Sequence, residues 1–118
     1  MTENSEFLTS MDKTFRMKSA EWLMEAKEKD NLSILDLRAK EAFERNNIKG
    51  SINILLKDLP HRFKELDSSK PLIALCNGSV QSAYAIMFLY SVGFKEVFNL
   101  SGGFSNWEKF QEDFNNKK

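Results

Sequence analysis

Cys76 is the only cysteine of the chain, and its surroundings are those of a nucleophile. It ends the apolar run Pro71-Leu72-Ile73-Ala74-Leu75 and opens the stretch Asn77-Gly78-Ser79-Val80-Gln81-Ser82, after which the apolar block Ala83 to Tyr90 begins. That order reads as a buried strand, a tight loop and a helix N-terminus, with the thiol at the strand's carboxyl end. Backbone N–H groups and the helix dipole at such a place favour thiolate over thiol, and the thiolate is the reactive form. The competing reading is a buried cysteine acting as a small hydrophobe. One cysteine excludes an intramolecular disulfide and any multi-cysteine metal site, and an unpaired thiol suits a reducing, cytoplasmic setting. No metal or other cofactor is expected.

Asp36 and Arg38 are the second candidate pair. They close the apolar run Leu32 to Leu37, so they too stand at a strand's carboxyl end, where they are placed to meet substrate. The stronger expectation for them is a structural ion pair, with Arg38 bridging Asp36 or Glu41 to clamp the helix that follows. His61 is the only histidine and the obvious general base, but it lies between Pro60 and Arg62 with nothing to orient it. A surface position is expected, and attack by a pre-formed thiolate needs no base. Trp107 and Phe104 follow a Gly-Gly turn; at helical spacing core packing is the stronger expectation for them, with a wall of the site the alternative. Ser79 and Gln81 carry side chains able to donate hydrogen bonds to a bound molecule, or simply to face water.

These residues need elements to hold them. Phe15 to Met17 reads as a short edge strand. Ser19 is an N-cap for a helix with Trp22, Leu23 and Ala26 on one face, ended at Asp30-Asn31. A buried strand follows over Leu32 to Leu37, then a short helix over Ala39 to Arg45 and a turn at Asn46-Asn47. Ser51 to Ile54 is a brief strand, and Leu56 to Leu66 has helical spacing with Leu59, Phe63 and Leu66 on one side. Leu72 to Leu75 is the most apolar strand. Ala83 to Tyr90, apolar all round, predicts a buried helix, stopped by Gly93. Val97 to Leu100 is the final strand, Gly102-Gly103 a turn, and Phe104 to Phe114 a closing amphipathic helix. This alternation predicts an α/β, doubly wound, mostly parallel sheet of about five strands with helices on both faces. Residues 15–114 form the expected domain, with polar ends at 1–14 and 115–118.

Composition narrows the partners. The 118 residues suffice for one domain, and the formal net charge is zero, with no basic stripe for nucleic acid or an anionic membrane. The longest apolar block has eight residues, far below the roughly 20 that span a bilayer. Residues 1–17 carry Glu3, Glu6, Asp12, Lys13 and Arg16 without an apolar run, so no secretory leader is expected.

In order along the chain, Leu35-Asp36-Leu37-Arg38 with Glu41 and Phe43, then Asn46 to Asn53, then the Cys76 to Ser82 loop, then Gly93, Phe94, Val97, Leu100, Gly102, Gly103 and Trp107, resemble the four signature segments of the single-domain rhodanese family of sulfurtransferases. The resemblance covers about residues 17 to 110. It implies a Cys76 persulfide as intermediate, donor binding by Asn77, Gly78, Ser79, Val80, Gln81 and Ser82, and secondary roles for Asp36, Arg38 and Trp107. The implied partners are a small sulfur donor (thiosulfate, polysulfide or a low-molecular-weight persulfide) and a thiol or cyanide acceptor. A non-enzymatic persulfide carrier supplied by a sulfur-relay protein is the alternative. Two departures stand out. Asn46-Asn47 replaces the family's usual Gly-His, and Gln81 stands where many catalytic members have Arg or Lys. Gly78 also comes two residues after the cysteine instead of three. A loop without a cation counts against thiosulfate as preferred donor. Phosphatases and arsenate reductases on this fold have a loop one residue longer, ending in an Arg that binds the oxyanion, which this chain lacks.

Overall fold

The computed structural model describes residues 16–29 and 31–116, so the expected lead-in at 1–14 lies outside the described residues. Strands β1 (Met17–Lys18), β2 (Ser33–Asp36), β3 (Ile52–Asn53), β4 (Leu72–Leu75) and β5 (Val97–Leu100) form one sheet in the order β1-β5-β4-β2-β3, with every pairing parallel. The connections carry helices α1 (Ala20–Glu28), α2 (Lys40–Arg45), α3 (Leu59–Arg62) and α4 (Val80–Ser91), and α5 (Gly103–Asn116) follows β5.

The strands alternate their side chains between two cores, as the period of two demands. Leu72, Ala74 and Cys76 of the β4 run pack with Ala85, Ile86 and Leu89 of α4. Ile73 and Leu75, between them, pack on the opposite face with Leu23 of α1 and Phe104 and Trp107 of α5. Both faces of the central strand are covered, so β4 is apolar throughout and fully buried. The cysteine thus inherits its direction from strand register: it points to the α4 side.

Chain order fixes where chemistry can occur. From β2 the chain steps outward to β3, and from β4 it steps the other way to β5. The sheet therefore splits its connections between β2 and β4, and their carboxyl ends lie side by side with Asp36 opposite Leu75. A crevice at this switch point is the usual ligand position in open α/β sheets. Asp36-Arg38 and the Cys76 loop border it.

Local signals explain most boundaries. The Ser19 side chain accepts from the Trp22 N–H at 3.0 Å, as its N-cap role requires. Helix α4 is stopped just before Gly93, whose φ of +104° is open to glycine, and the next N–H, of Phe94, returns to the Leu89 carbonyl at 3.0 Å. Two expectations are corrected. The helical stretch 56–66 is broken into a 3-10 turn (Leu56–Asp58), the single α-turn α3 and a second 3-10 turn (Phe63–Glu65), because Pro60 lacks an N–H and sits only in a helix's first turn. The block Ala83 to Tyr90 is not sealed on all sides. Helix α4 is an outer layer, and Val80, Tyr84 and Met87 are 71%, 61% and 53% exposed along one stripe. Apolar composition decides whether a helix tolerates burial; the number of layers decides whether it receives it.

Candidate active site

Cys76 is 5% exposed and sits at the base of a cleft of about 160 Å³ lined by Cys76, Asn77, Gly78, Ser79, Val80 and Gln81. These are the loop residues singled out above, apart from Ser82. Ser82 is fully buried behind the thiol, in the first turn of α4. Its hydroxyl accepts from Cys76 Sγ at 3.6 Å and donates to Asn99 Oδ1 at 2.6 Å, and Asn99 Nδ2 donates to the Ser79 carbonyl at 3.2 Å. The three side chains form a relay from the thiol to β5 and back to the loop. Ser82 has one proton to give. With a neutral thiol it goes to Asn99, and with a thiolate the hydroxyl can turn it to sulfur.

Asn99 belongs to none of the sequence motifs above. It lies in β5 two residues from Val97 and so shares the α4 face, 1% exposed. A polar residue in the otherwise apolar strand Val97-Phe98-Asn99-Leu100 was its only local signal.

The loop is held from several sides. Ser79, the N-cap of α4, makes no side-chain cap bond, so the first-turn N–H groups have no partner in their own cap. Such a helix start stabilises an anion placed before it. From the other side the Phe104 N–H donates to the Cys76 carbonyl at 2.8 Å. Gly103 (φ +63°) presses so close that a Cβ there would collide with the carbonyls of Cys76, Asn77 and Gly78. Gly103→Ala is therefore expected to lower stability by about 3 kcal/mol or more, combining left-handed backbone strain with a clash against main chain. Gly50→Ala is the control: φ is +91° there, but nothing lies within 4 Å, so only the backbone strain remains. Thermal unfolding of both variants checks this, and equal losses would mean that the loop gives way freely.

Asp36 and Arg38 form the structural pair expected of them. Asp36 is fully buried and Arg38 is 5% exposed. Arg38 Nη2 and Nε reach the carboxylate at 2.8 Å and 3.1 Å, and the Arg38 N–H donates to Asp36 Oδ1 at 2.9 Å. The partner beyond Asp36 is not Glu41 but the Asn46 carbonyl, at 2.7 Å, which closes α2. The guanidinium lies 3.7 Å from the centroid of the Phe104 ring. Asn46, at the position of the family's Gly-His departure, also donates through Nδ2 to Glu108 of α5 at 2.9 Å. Trp107 is 3% exposed in the core beside Leu23 and Leu75 and is not among the residues lining the Cys76 cleft. His61 is exposed, as expected. Among the described residues no cluster of three or more His, Cys, Asp or Glu side chains is arranged to hold a metal, and no helix is long and apolar enough to cross a membrane.

The family model of the rhodanese-like domain matches residues 19–110. Thiosulfate sulfurtransferase GlpE of Shewanella oneidensis is 30% identical over 96 residues, spanning 81% of this chain and 95% of that protein. Among solved structures, a full-length protein from Lactobacillus plantarum superposes with a TM-score of 0.77 at 26% identity, covering 94% of this chain and 95% of that one. A rhodanese-related protein from Thermoplasma volcanium gives a TM-score of 0.71 at 27% identity over 79% of this chain and 90% of its own.

Proposed function

The chain belongs to the rhodanese-like domain family, and on that premise we propose that it is a sulfurtransferase working through a persulfide on Cys76. The observation that carries this reading is the lone thiol at the base of a cleft built from one loop, bonded to Ser82 and placed before the N-terminus of α4. The Cys76 thiolate attacks the sulfane sulfur of a donor. A Cys76 S–S bond forms, the donor's bond to that sulfur breaks, and the leaving group departs with the electron pair. An acceptor thiolate then attacks the outer sulfur, and Cys76 leaves as thiolate. The helix start and the Ser82 hydroxyl stabilise the sulfur anion in both steps. No proton-transfer group beyond these is required. A reducing cytoplasm is the compartment that suits the unpaired thiol.

Thiosulfate is named for the Shewanella relative; for this chain we favour polysulfides or persulfides, because no residue lining the Cys76 cleft is cationic. Gln81 offers a neutral amide where a sulfonate would gain from charge, and charge-assisted hydrogen bonds are roughly twice as strong as neutral ones. Gln81→Arg is expected to lower the thiosulfate KM by about tenfold, equivalent to about 1.4 kcal/mol, and to change polysulfide use much less. Steady-state kinetics with both donors tests it, and equal effects on the two donors would remove residue 81 from donor selection.

The same uncharged lining supports a second reading, a persulfide carrier loaded by a partner protein. Turnover separates the two. An enzyme cycles many times with excess polysulfide and a thiol, whereas a carrier loads once and waits for its partner.

A further inference from the structure

The Cys76 cleft has a neighbour across Gln81. Gln81 lines it and also lines a second cleft, of about 460 Å³, whose other walls are Leu37, Ala39, Leu55, Leu56 and Lys57. That volume lies in the range of ligand pockets, whereas the Cys76 cleft alone is below it. The walls come from the end of β2 and the segment after β3, so the second cleft lies beside the sheet's switch point. Four of its six lining residues are aliphatic. Its one charged group is Lys57, which is exposed and makes no ion pair among the described residues. The cleft on the other flank, which shares Asn77 with the loop, differs: it sets Glu108 beside Arg38 and Arg45 and so mixes both signs of charge.

An inorganic dianion gains nothing from an aliphatic wall. A molecule with its sulfur at Cys76, an aliphatic body past Gln81 and an anionic end at Lys57 would use every surface present. We propose that this second cleft seats the organic part of an aliphatic thiol ending in an anionic group, as donor R–S–SH and, in reverse, as acceptor R–SH. The proposal rests on the sulfur-transfer reading above. In the loading step the Cys76 thiolate bonds to the outer sulfur of R–S–SH, the internal S–S bond breaks, and R–S⁻ leaves with the electron pair. The outer sulfur keeps its proton, so Cys76–S⁻ plus R–S–SH gives Cys76–S–SH plus R–S⁻. Unloading is the same step reversed, so one subsite serves both directions.

Acceptor thiols test the cleft. Cys76 is loaded with polysulfide, and loss of the added sulfur is timed by intact mass with 2-mercaptoethanol, 6-mercaptohexanol or 6-mercaptohexanoate. The six-carbon alcohol is expected to unload about tenfold faster than 2-mercaptoethanol, through contact with the aliphatic wall. The acid should gain a further factor of about three through Lys57, a size set by the exposure of that lysine. Lys57→Glu reverses the preference for acid over alcohol, and Leu55→Gln shrinks the advantage of both six-carbon thiols. Equal rates for the three thiols, or an acid-to-alcohol ratio that Lys57→Glu leaves unchanged, would overturn the proposal. Hexanoate titrated into Cys76→Ser reads the cleft without any sulfur chemistry. Shifts of the Leu55 and Leu56 methyl resonances, lost when Lys57→Glu is added, support the cleft, and their absence overturns it. Those shifts, combined with a parent protein that polysulfide fails to load, would uphold the cleft and remove the sulfur-transfer reading alone.

Discussion

Replacing Cys76 with serine is expected to abolish sulfur transfer, with a loss on the order of 10³-fold or more and an intact fold. Loss of a nucleophile has effects of this size because no other group takes over its bond-making step. Here the substitution is complete, since the chain has no second thiol. The fold should tolerate it. A serine hydroxyl can keep the bond to Ser82, so the relay to Asn99 survives and stability shifts by only about 1 kcal/mol. Circular dichroism and a thiol-acceptor assay measured on one preparation check both halves. A folded variant that retains near-parental turnover would take Cys76 out of the mechanism.

The largest loss of stability is expected at the ion pair beside the loop. Arg38→Ala leaves the Asp36 carboxylate fully buried without its partner and removes the donor to the Asn46 carbonyl and the cover on the Phe104 ring. Breaking one side of a buried pair costs about 3–5 kcal/mol, a large share of the roughly 5–15 kcal/mol that holds a domain together. Urea unfolding should show a much lower midpoint. The double replacement Asp36→Asn with Arg38→Met separates charge from packing. It is expected to recover a large part of the loss, because neither charge is then left buried alone. A single Arg38→Ala within about 0.5 kcal/mol of the parent would mean that the pair is dispensable, and that Arg38 is held for substrate instead.

Much of the site could be read along the chain because its signals are local. An apolar run, a small-residue loop and a helix start are consecutive in sequence, so Cys76 stands out at a strand's end, and the family resemblance adds the loop residues that line its cleft. The pairing of Asp36 with Arg38 is also local, two residues apart. The relay behind the thiol is not. Ser82 meets Asn99 across 17 residues, and only the parallel pairing of β4 with β5 brings them together. The same limit applies to Arg38, whose bond to the Asn46 carbonyl depends on where α2 ends rather than on the i+3 spacing that pointed to Glu41. For α4 the difficulty was of another kind. Hydrophobicity all round the helix matched burial, yet only one side faces the sheet, and the stripe of Val80, Tyr84 and Met87 remains exposed. Trp107 shows the reverse: its helical spacing with Phe104 already favoured the core over the cleft, and its ring packs there.

Intact-mass spectrometry after incubation with polysulfide tests the persulfide on Cys76 most directly. The expected result is a gain of about 32 Da, one sulfur atom, that a thiol reductant removes and that Cys76→Ser never acquires. An unchanged mass in the parent protein, or the same gain in the Cys76→Ser variant, would contradict sulfur transfer through this residue.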